Sequence, residues 1–202
     1  MAGSDHTTPR TPAGGDAGRP VPTWSPLDRL SVIQGDITVQ QVDAIVNAAN
    51  SALKRGGGVD GAIHRAAGPD LQRELDTIGG CPTGECRISA PYALPSKRLI
   101  HCVGPVWQGG GAGEDAALAG CYRSALELAS RHSLATLAFP AISTGIYGFP
   151  PDRAAHIAID TVLASLSTCP GITEIRFVCF DADTADLYRD LLGRLSQAGS
   201  GA

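Results

Sequence analysis

The sequence lacks the features of an exported or membrane protein. None of its apolar runs reaches about eighteen residues, and its N-terminus has no apolar core of the kind found in secretory signals. A basic excess is also missing, because 16 Lys and Arg stand against 20 Asp and Glu and give a formal net charge of -4. Proteins that neutralise many phosphates usually carry a clear excess of Lys and Arg. We therefore expect a cytoplasmic protein with no membrane partner and no general nucleic-acid-binding surface.

Cysteine pairs of the C-x-x-C type, which are typical of zinc sites and redox dithiols, are absent as well. Several of the cysteines lie in apolar stretches, where free thiols pack as small hydrophobic groups. We expect all six to be reduced, structural and not bound to metal: Cys81, Cys86, Cys102, Cys121, Cys169 and Cys179.

Composition divides the chain into a tail and one domain. Residues 1–26 contain nine Gly or Pro and little large apolar surface apart from Trp24, too little to offset the entropy cost of ordering the chain. We predict a disordered tail there, a single globular domain over 27–196, and a short flexible C-terminus over 197–202.

From Leu27 onward, short apolar runs alternate with stretches of helical period, which is typical of an α/β fold with a mostly parallel sheet covered on both faces. Strands are predicted at Leu30–Gln34, Ala44–Ala48, Cys86–Ala90, Arg98–Val103, Thr136–Pro140 and Glu174–Phe180. Helices are predicted at Gly61–Leu75, Asp115–His132, Asp152–Ser167 and Asp183–Leu195. Ligands of such sheets bind outside the carboxyl ends of the strands, where helix N-termini offer unpaired N–H groups.

Two asparagines lie at the end of the second predicted strand. Asn47 and Asn50, in the motif V-N-A-A-N, lie at its carboxyl end. Their amides both donate and accept hydrogen bonds, as do the hydroxyls of a ribose. The same residues also suit a simple turn or cap at the strand exit.

A glycine run then precedes a helix. Gly56–Gly61 allows close approach of a ligand, and its N–H groups can converge on phosphate oxygens. A flexible loop with Asp60 as helix N-cap is the alternative. Asp60 and His64 are four residues apart on one helical face, which suits an acid–base pair, although a surface ion pair is the commoner reason for such spacing.

A second loop with glycines, Pro140–Phe149, follows the strand at Thr136–Pro140. Its amides can form another row of donors, so that two loops at neighbouring strand ends would hold a diphosphate from both sides. A tight irregular connection is the alternative. The candidate donors are Ser143, Thr144, Gly145, Ile146 and Tyr147.

Two further strand ends carry groups that suit a nucleobase. Asp36, after the first strand, can accept a hydrogen bond from an exocyclic amine or cap a helix. Phe180, at the end of the last strand, can stack on a base or pack in the core.

Two other motifs fit poorly. Gly56-x-Gly58-x-x-Gly61 matches a dinucleotide fingerprint, but Asn47 to Arg55 separate it from its strand, which disfavours a nicotinamide dehydrogenase. Ser143 resembles the serine of a nucleophile elbow, yet only His156 follows it and no separately placed acid precedes that histidine, which disfavours a serine hydrolase.

Taken together, the motifs resemble a macro domain of the MacroD type over about 165 residues, from Leu30 to Leu195. The motifs are G-D-I-T (35–38), V-D-A-I-V-N-A-A-N (42–50), G-G-G-V-D-G-A-I-H-R-A-A-G (56–68), C-P-T-G-E (81–85), V-G-P-V-W (103–107) and P-A-I-S-T-G-I-Y-G-F-P (140–150). The resemblance implies a three-layer α/β/α fold with a mixed, mostly parallel central sheet.

The resemblance also implies a cleft for ADP-ribose. Its adenine end would lie near Asp36, Ile37 and Phe180. Its diphosphate would lie between Gly57, Gly58, Val59 and Asp60 on one side and Ser143, Thr144, Gly145, Ile146 and Tyr147 on the other. The distal ribose would face Asn47 and Asn50, with Asp60 as the catalytic carboxylate and with His64 and Tyr147 or Phe149 lining that end.

The activity that the resemblance implies is hydrolysis of ester bonds at the distal ribose, with Asp60, Asn50 and His64 as catalytic residues and with no metal or other cofactor. Substrates would be O-acetyl-ADP-ribose and proteins mono-ADP-ribosylated on acidic side chains. ADP-ribosylated nucleic-acid ends are not excluded as substrates. Either Asp60 or the bound pyrophosphate would activate water. We expect a monomer. A non-catalytic ADP-ribose reader is the main alternative, and an NAD-dependent oxidoreductase is a weaker one.

Overall fold

The computed structural model describes residues 25–199 as six strands and five α-helices, with two short 3-10 helices at Pro26–Arg29 and Ile37–Val39. The strands are β1 Leu30–Gln34, β2 Val42–Ala49, β3 Cys86–Ser89, β4 Ser96–Val103, β5 Thr136–Phe139 and β6 Glu174–Cys179. The helices are α1 Gly58–Ala67, α2 Pro69–Ile78, α3 Glu114–Arg131, α4 Pro151–Leu166 and α5 Ala182–Gly199.

The strands form one mixed sheet in the order β1-β6-β5-β2-β4-β3. Every neighbouring pair is parallel except β3 and β4, which are antiparallel. Helices α3, α4 and α5 pack on one face and α1 and α2 on the other, each over its own apolar cluster. The predicted three-layer α/β/α fold is confirmed, and the carboxyl ends of the parallel strands share one edge.

All six strands lie within two residues of their predicted bounds, but the predicted helix Gly61–Leu75 is wrong. Two helices, α1 and α2, cover this region and meet at Gly68, whose φ of 91° lies outside the helical range. Pro69, the first residue of α2, has no N–H to continue the hydrogen bonds of α1. The helical spacing of apolar residues continues through Gly68, so this spacing alone could not show that the helix breaks there.

The expectation of six reduced cysteines is wrong for two of them. Cys86 and Cys102 form a disulfide, because the antiparallel register of β3 and β4 places them directly opposite each other with 4.1 Å between their Cα atoms. The remaining four are free and buried: Cys81, Cys121, Cys169 and Cys179. Sequence spacing gave no sign of the pair, since it depends on a strand pairing.

The described part of the chain begins before and ends after the predicted domain of residues 27–196. A 3-10 helix begins at Pro26, capped by Ser25, and residues 1–24 of the predicted tail lie outside the described part. Helix α5 continues through 197–199 of the predicted C-terminal segment, and 200–202 lie outside the description. Within residues 25–199, the apolar helices are all too short or too polar to cross a membrane.

Candidate active site

A cleft of about 250 Å³ opens at the carboxyl ends of β2 and β5. Two loops form its walls, one joining β2 to α1 and the other joining β5 to α4, and the first residue after β4 closes its floor. The lining residues are Ala48, Ala49, Asn50, Gly56, Gly57, Gly58, Val59, Asp60, Gly104, Ala141, Ile142, Ser143, Gly145, Ile146 and Tyr147.

The first wall is the N-terminus of α1. Gly58, Val59 and Asp60 are its first three residues, so their N–H groups have no acceptor within the helix. The N-cap, Gly57, contributes no side-chain hydrogen bond. The positive end of the helix dipole and these free amides favour an anion in the cleft.

The second wall is the loop after β5. Two internal bonds fix its shape, from Phe149 N to Ser143 O at 3.0 Å and from Gly148 N to Gly145 O at 2.9 Å. Within the described chain, the amides of its three tip residues have no hydrogen-bond acceptor: Gly145, Ile146 and Tyr147. A methyl group on Gly57 would lie 3.6 Å from Ile146 Cδ1, so the two loops face each other closely.

A third loop, between β4 and α3, supports the second wall. Trp107 N donates to Tyr147 O at 2.8 Å, and the Trp107 ring packs 4.7 Å from the buried ring of Phe149. The carboxylate of Glu114 accepts from three amides of this loop, those of Gln108, Gly110 and Ala112. Hydrogen bonds from its own amide and from these three lower the pKa of Glu114 to about 2 against the effect of burial.

Asp60 lines the cleft and is only 5% exposed. It is the third residue of α1 and not its N-cap. Its Oδ2 accepts from Gly56 N at 2.5 Å and its Oδ1 accepts from Asn47 Nδ2 at 2.7 Å. Each carboxylate oxygen is therefore fixed by one donor, and the group is oriented without a positive partner.

Asn50 lies beside this carboxylate on the cleft wall. Its side-chain amide makes two hydrogen bonds to the backbone of Lys54, accepting from Lys54 N at 3.1 Å and donating to Lys54 O at 2.5 Å. A methyl group on Gly56 would lie 3.3 Å from Asp60 Oδ2 and 3.6 Å from Asn50 Nδ2. Asp60 and Asn50 therefore flank the same glycine.

Two other predicted site residues lie behind Asp60 and not on the cleft surface. Asn47 is fully buried and contacts Asp60 and His101. His64 is also buried, with Nε2 3.5 Å from Asp60 Oδ1 and no hydrogen bond. Burial lowers the pKa of His64, the charge of Asp60 raises it, and that of Arg55 lowers it further, for a net decrease. The buried site therefore favours the neutral imidazole of His64.

The residues predicted for a base lie together at the ends of the paired strands β1 and β6, beyond the cleft lining. Asp36 caps the following 3-10 helix by accepting from Thr38 N at 2.8 Å. Ile37 is buried in the core under α1. Phe180 is 89% exposed, so it does not pack in the core.

In the loop after β5, the predicted donor Thr144 does not line the cleft. Its hydroxyl donates to Ala141 O at 3.0 Å.

Sequence reasoning missed Gly104, although the motif V-G-P-V-W contains it. A methyl group at this position would overlap Ser143 Oγ, so only glycine fits beneath the second wall. Ser143 itself has a positive φ of 68°, and its buried Oγ has no partner among the described residues. The clue was available, since Gly104 directly follows β4, the parallel neighbour of β2.

An α/β/α sandwich with an amide-lined anion cleft at its parallel strand ends agrees with what comparison with known proteins finds. The family model described as "Macro domain" matches residues 46–158. The chain is 53% identical over 169 residues to a macro domain-containing protein of Methanosarcina mazei, covering 84% of this chain and 90% of that one.

It is also 50% identical over 173 residues to a protein of Enterobacter cloacae named O-acetyl-ADP-ribose deacetylase, covering 84% of this chain and 96% of the relative. A solved mutant of the Oceanobacillus iheyensis macrodomain with ADPR superposes with a TM-score of 0.80 at 39% identity, covering 83% of this chain and 94% of the other. The chain belongs to the macro domain family.

Proposed function

We propose that this protein binds ADP-ribose in the cleft and hydrolyses ester bonds at the distal ribose. The substrates would be O-acetyl-ADP-ribose and proteins mono-ADP-ribosylated on acidic side chains. The observation that carries the proposal is the carboxylate of Asp60, fixed through both oxygens in an amide-lined anion cleft. The Enterobacter cloacae relative, by its name a deacetylase, and the Oceanobacillus iheyensis structure with ADPR support it.

Binding would rest on main-chain donors. The two anionic phosphates would lie between the first turn of α1 and the tip of the loop after β5, where two sets of unpaired amides face each other. The adenine would then extend toward Asp36 and Phe180 at the ends of β1 and β6. The distal ribose would extend the opposite way, toward Asn50 and Asp60.

Turnover would use Asp60 as the general base. In deacetylation, Asp60 would accept a proton from water as the water attacks the carbonyl carbon of the acetyl group. The ester C–O bond would then break, the proton would pass from Asp60 to the ribose oxygen, and acetate and ADP-ribose would leave. Asn50 would hold the ribose in the reactive position. We assign Asn47 and His64 to the support of Asp60 from behind, because both are buried there.

Hydrolysis and binding are separated by measuring both on the same protein. We expect ADP-ribose to raise the melting temperature more than NAD does, and we expect release of acetate from O-acetyl-ADP-ribose and of label from ADP-ribosylated protein. Binding without release from either substrate would identify a reader. A larger stabilisation by NAD than by ADP-ribose would instead favour the oxidoreductase.

We also propose that hydrolysis needs no metal, because the proposed mechanism assigns proton transfer to Asp60 and substrate binding to Asn50 and main-chain amides. Among residues 25–199, no cluster of three His, Cys, Asp or Glu has the arrangement of a metal site. We predict that a chelator leaves the hydrolysis rate unchanged; a loss that added metal restores would contradict it. The monomeric state and cytoplasmic location remain predictions, to be checked by light scattering and by fractionation.

A further inference from the structure

A row of buried polar side chains crosses the sheet behind Asp60. In β2 and β4 the residues Ile45, Leu99 and Val103 face the layer of α1 and α2. Because side chains alternate along a strand, Asn47 and His101 face that layer too, and the β2–β4 register pairs them directly. The row then continues to Ser89 on β3. All three polar residues are buried.

The hydrogen bonds in this row diverge from the side-chain amide of Asn47, toward Asp60 on one side and toward His101 on the other. Asn47 Nδ2 lies 2.7 Å from Asp60 Oδ1 and 3.2 Å from His101 Nδ1. His101 Nε2 lies 2.8 Å from Ser89 Oγ, which donates in turn to Ala90 O at 3.1 Å. The row therefore connects the carboxylate in the cleft to the backbone at the far edge of the sheet.

Donor and acceptor chemistry fixes the state of each member. A carboxylate only accepts, so the amide nitrogen of Asn47, and not its oxygen, must face Asp60. The second hydrogen on that nitrogen points to His101 Nδ1, which must then be unprotonated. His101 consequently carries its proton on Nε2 and donates it to Ser89. Burial, together with the nearby His64, lowers the pKa of His101 to about 3, in agreement with a neutral ring.

We propose that His101, held by Ser89, is a positioning residue that locks the amide of Asn47 and thereby orients the Asp60 carboxylate for hydrolysis. This inference rests on the proposed function and deepens it. Without an acceptor at Nδ1, the Asn47 amide keeps only its hydrogen bond to Asp60, so its plane can rotate about that one bond. The donor at Asp60 Oδ1 would then lose its fixed direction, and the carboxylate with it. The main-chain amides assigned to the diphosphate make no hydrogen bond to Asn47, His101 or Ser89, so they are unchanged.

The test compares two variants of one residue. His101→Leu fills the site without an acceptor, whereas His101→Asn places a carbonyl oxygen at the position of Nδ1 and restores one. With O-acetyl-ADP-ribose, we expect His101→Leu to lower kcat about 10- to 100-fold with KM and ADP-ribose affinity unchanged, and His101→Asn to recover most of that loss. Equal kcat in the two variants, or a loss expressed in KM, would overturn the proposal.

A stability-matched control separates positioning from general weakening of the fold. Val162 is fully buried on the opposite face of the sheet, and Val162→Ala lowers stability without touching the row. Its kcat should stay at the wild-type value; a fall equal to that of His101→Leu would overturn the proposal. If His101→Leu does not fold, Ser89→Ala breaks the row at its far end, and we expect a smaller fall in kcat, also with unchanged KM.

One readout does not depend on turnover. Long-range proton–nitrogen NMR of the imidazole should show His101 neutral, protonated on Nε2 and bare on Nδ1, and Asp60→Asn should shift the Asn47 side-chain amide. A proton on Nδ1 would overturn the proposal whether or not the protein hydrolyses esters. Wild-type protein with this tautomer but no ester hydrolysis would instead overturn the proposed function, and with it the positioning role.

Discussion

The two ends of the proposed ADP-ribose site, Asp60 in the cleft and Phe180 beyond its lining, differ in how much of each is fixed before a ligand arrives. At one end, Asp60 is buried, holds a donor on each oxygen and continues into a buried polar row. At the other, Phe180 is 89% exposed and makes no ring contact within the described chain. Preorganisation is therefore concentrated at the end where bonds would break. This is expected if interactions of the reacting groups determine the rate, and if interactions at the exposed end, near Phe180, determine the affinity.

The largest effect should come from Asp60→Asn, which keeps the shape of the side chain and removes the base. We expect kcat to fall about 10²- to 10⁴-fold, the contribution of a positioned acid or base. ADP-ribose affinity should stay close to that of wild type, as measured by calorimetry. A variant that retains its kcat would assign water activation to the substrate pyrophosphate, and a variant that loses affinity instead would remove the contrast between the two ends.

Next in size is Phe180→Ala at the open end. Loss of a stacking partner should weaken ADP-ribose binding by about 1–3 kcal/mol while kcat at saturation is unchanged. Titration of ADP-ribose and of ribose phosphate, which lacks the base, tests this, since only the former should lose affinity. Equal losses for both ligands would show that Phe180 does not contact the base.

A smaller effect should appear in the dependence of stability on pH. The pKa of His101 is 6.5 when exposed and about 3 when folded, so the unfolded chain binds more protons between these values. Stability should therefore be constant above pH 6.5 with respect to this group and fall below it, by at most about 1.4 kcal/mol per pH unit. Urea unfolding of wild type and His101→Asn from pH 7 to pH 5 measures it; equal slopes would show that His101 is not buried neutral.

Sequence patterns were sufficient to predict the strands of the sheet and the order of the loops, because the spacing of apolar residues and the turn residues are local signals. They could not show the break at Gly68, since the apolar stripe runs through it, nor the disulfide of Cys86, which depends on strand pairing. The same limit applies to the site. The motif V-N-A-A-N located Asn47 and Asn50 at one strand end, but which of them lines the cleft depends on the alternation of β2 against its neighbours. His101 carried no local signal at all.

The central claim is that main-chain amides of two facing loops, and not basic side chains, hold a diphosphate and place its terminal sugar beside Asp60. A crystal structure of the protein with ADP-ribose tests it most directly. We predict phosphate oxygens within hydrogen-bond distance of amides from Gly58–Asp60 and from Gly145–Tyr147, with the distal ribose adjoining Asn50 and Asp60. A bound nucleotide whose phosphates contact arginine side chains elsewhere, with both loops free, would contradict the account.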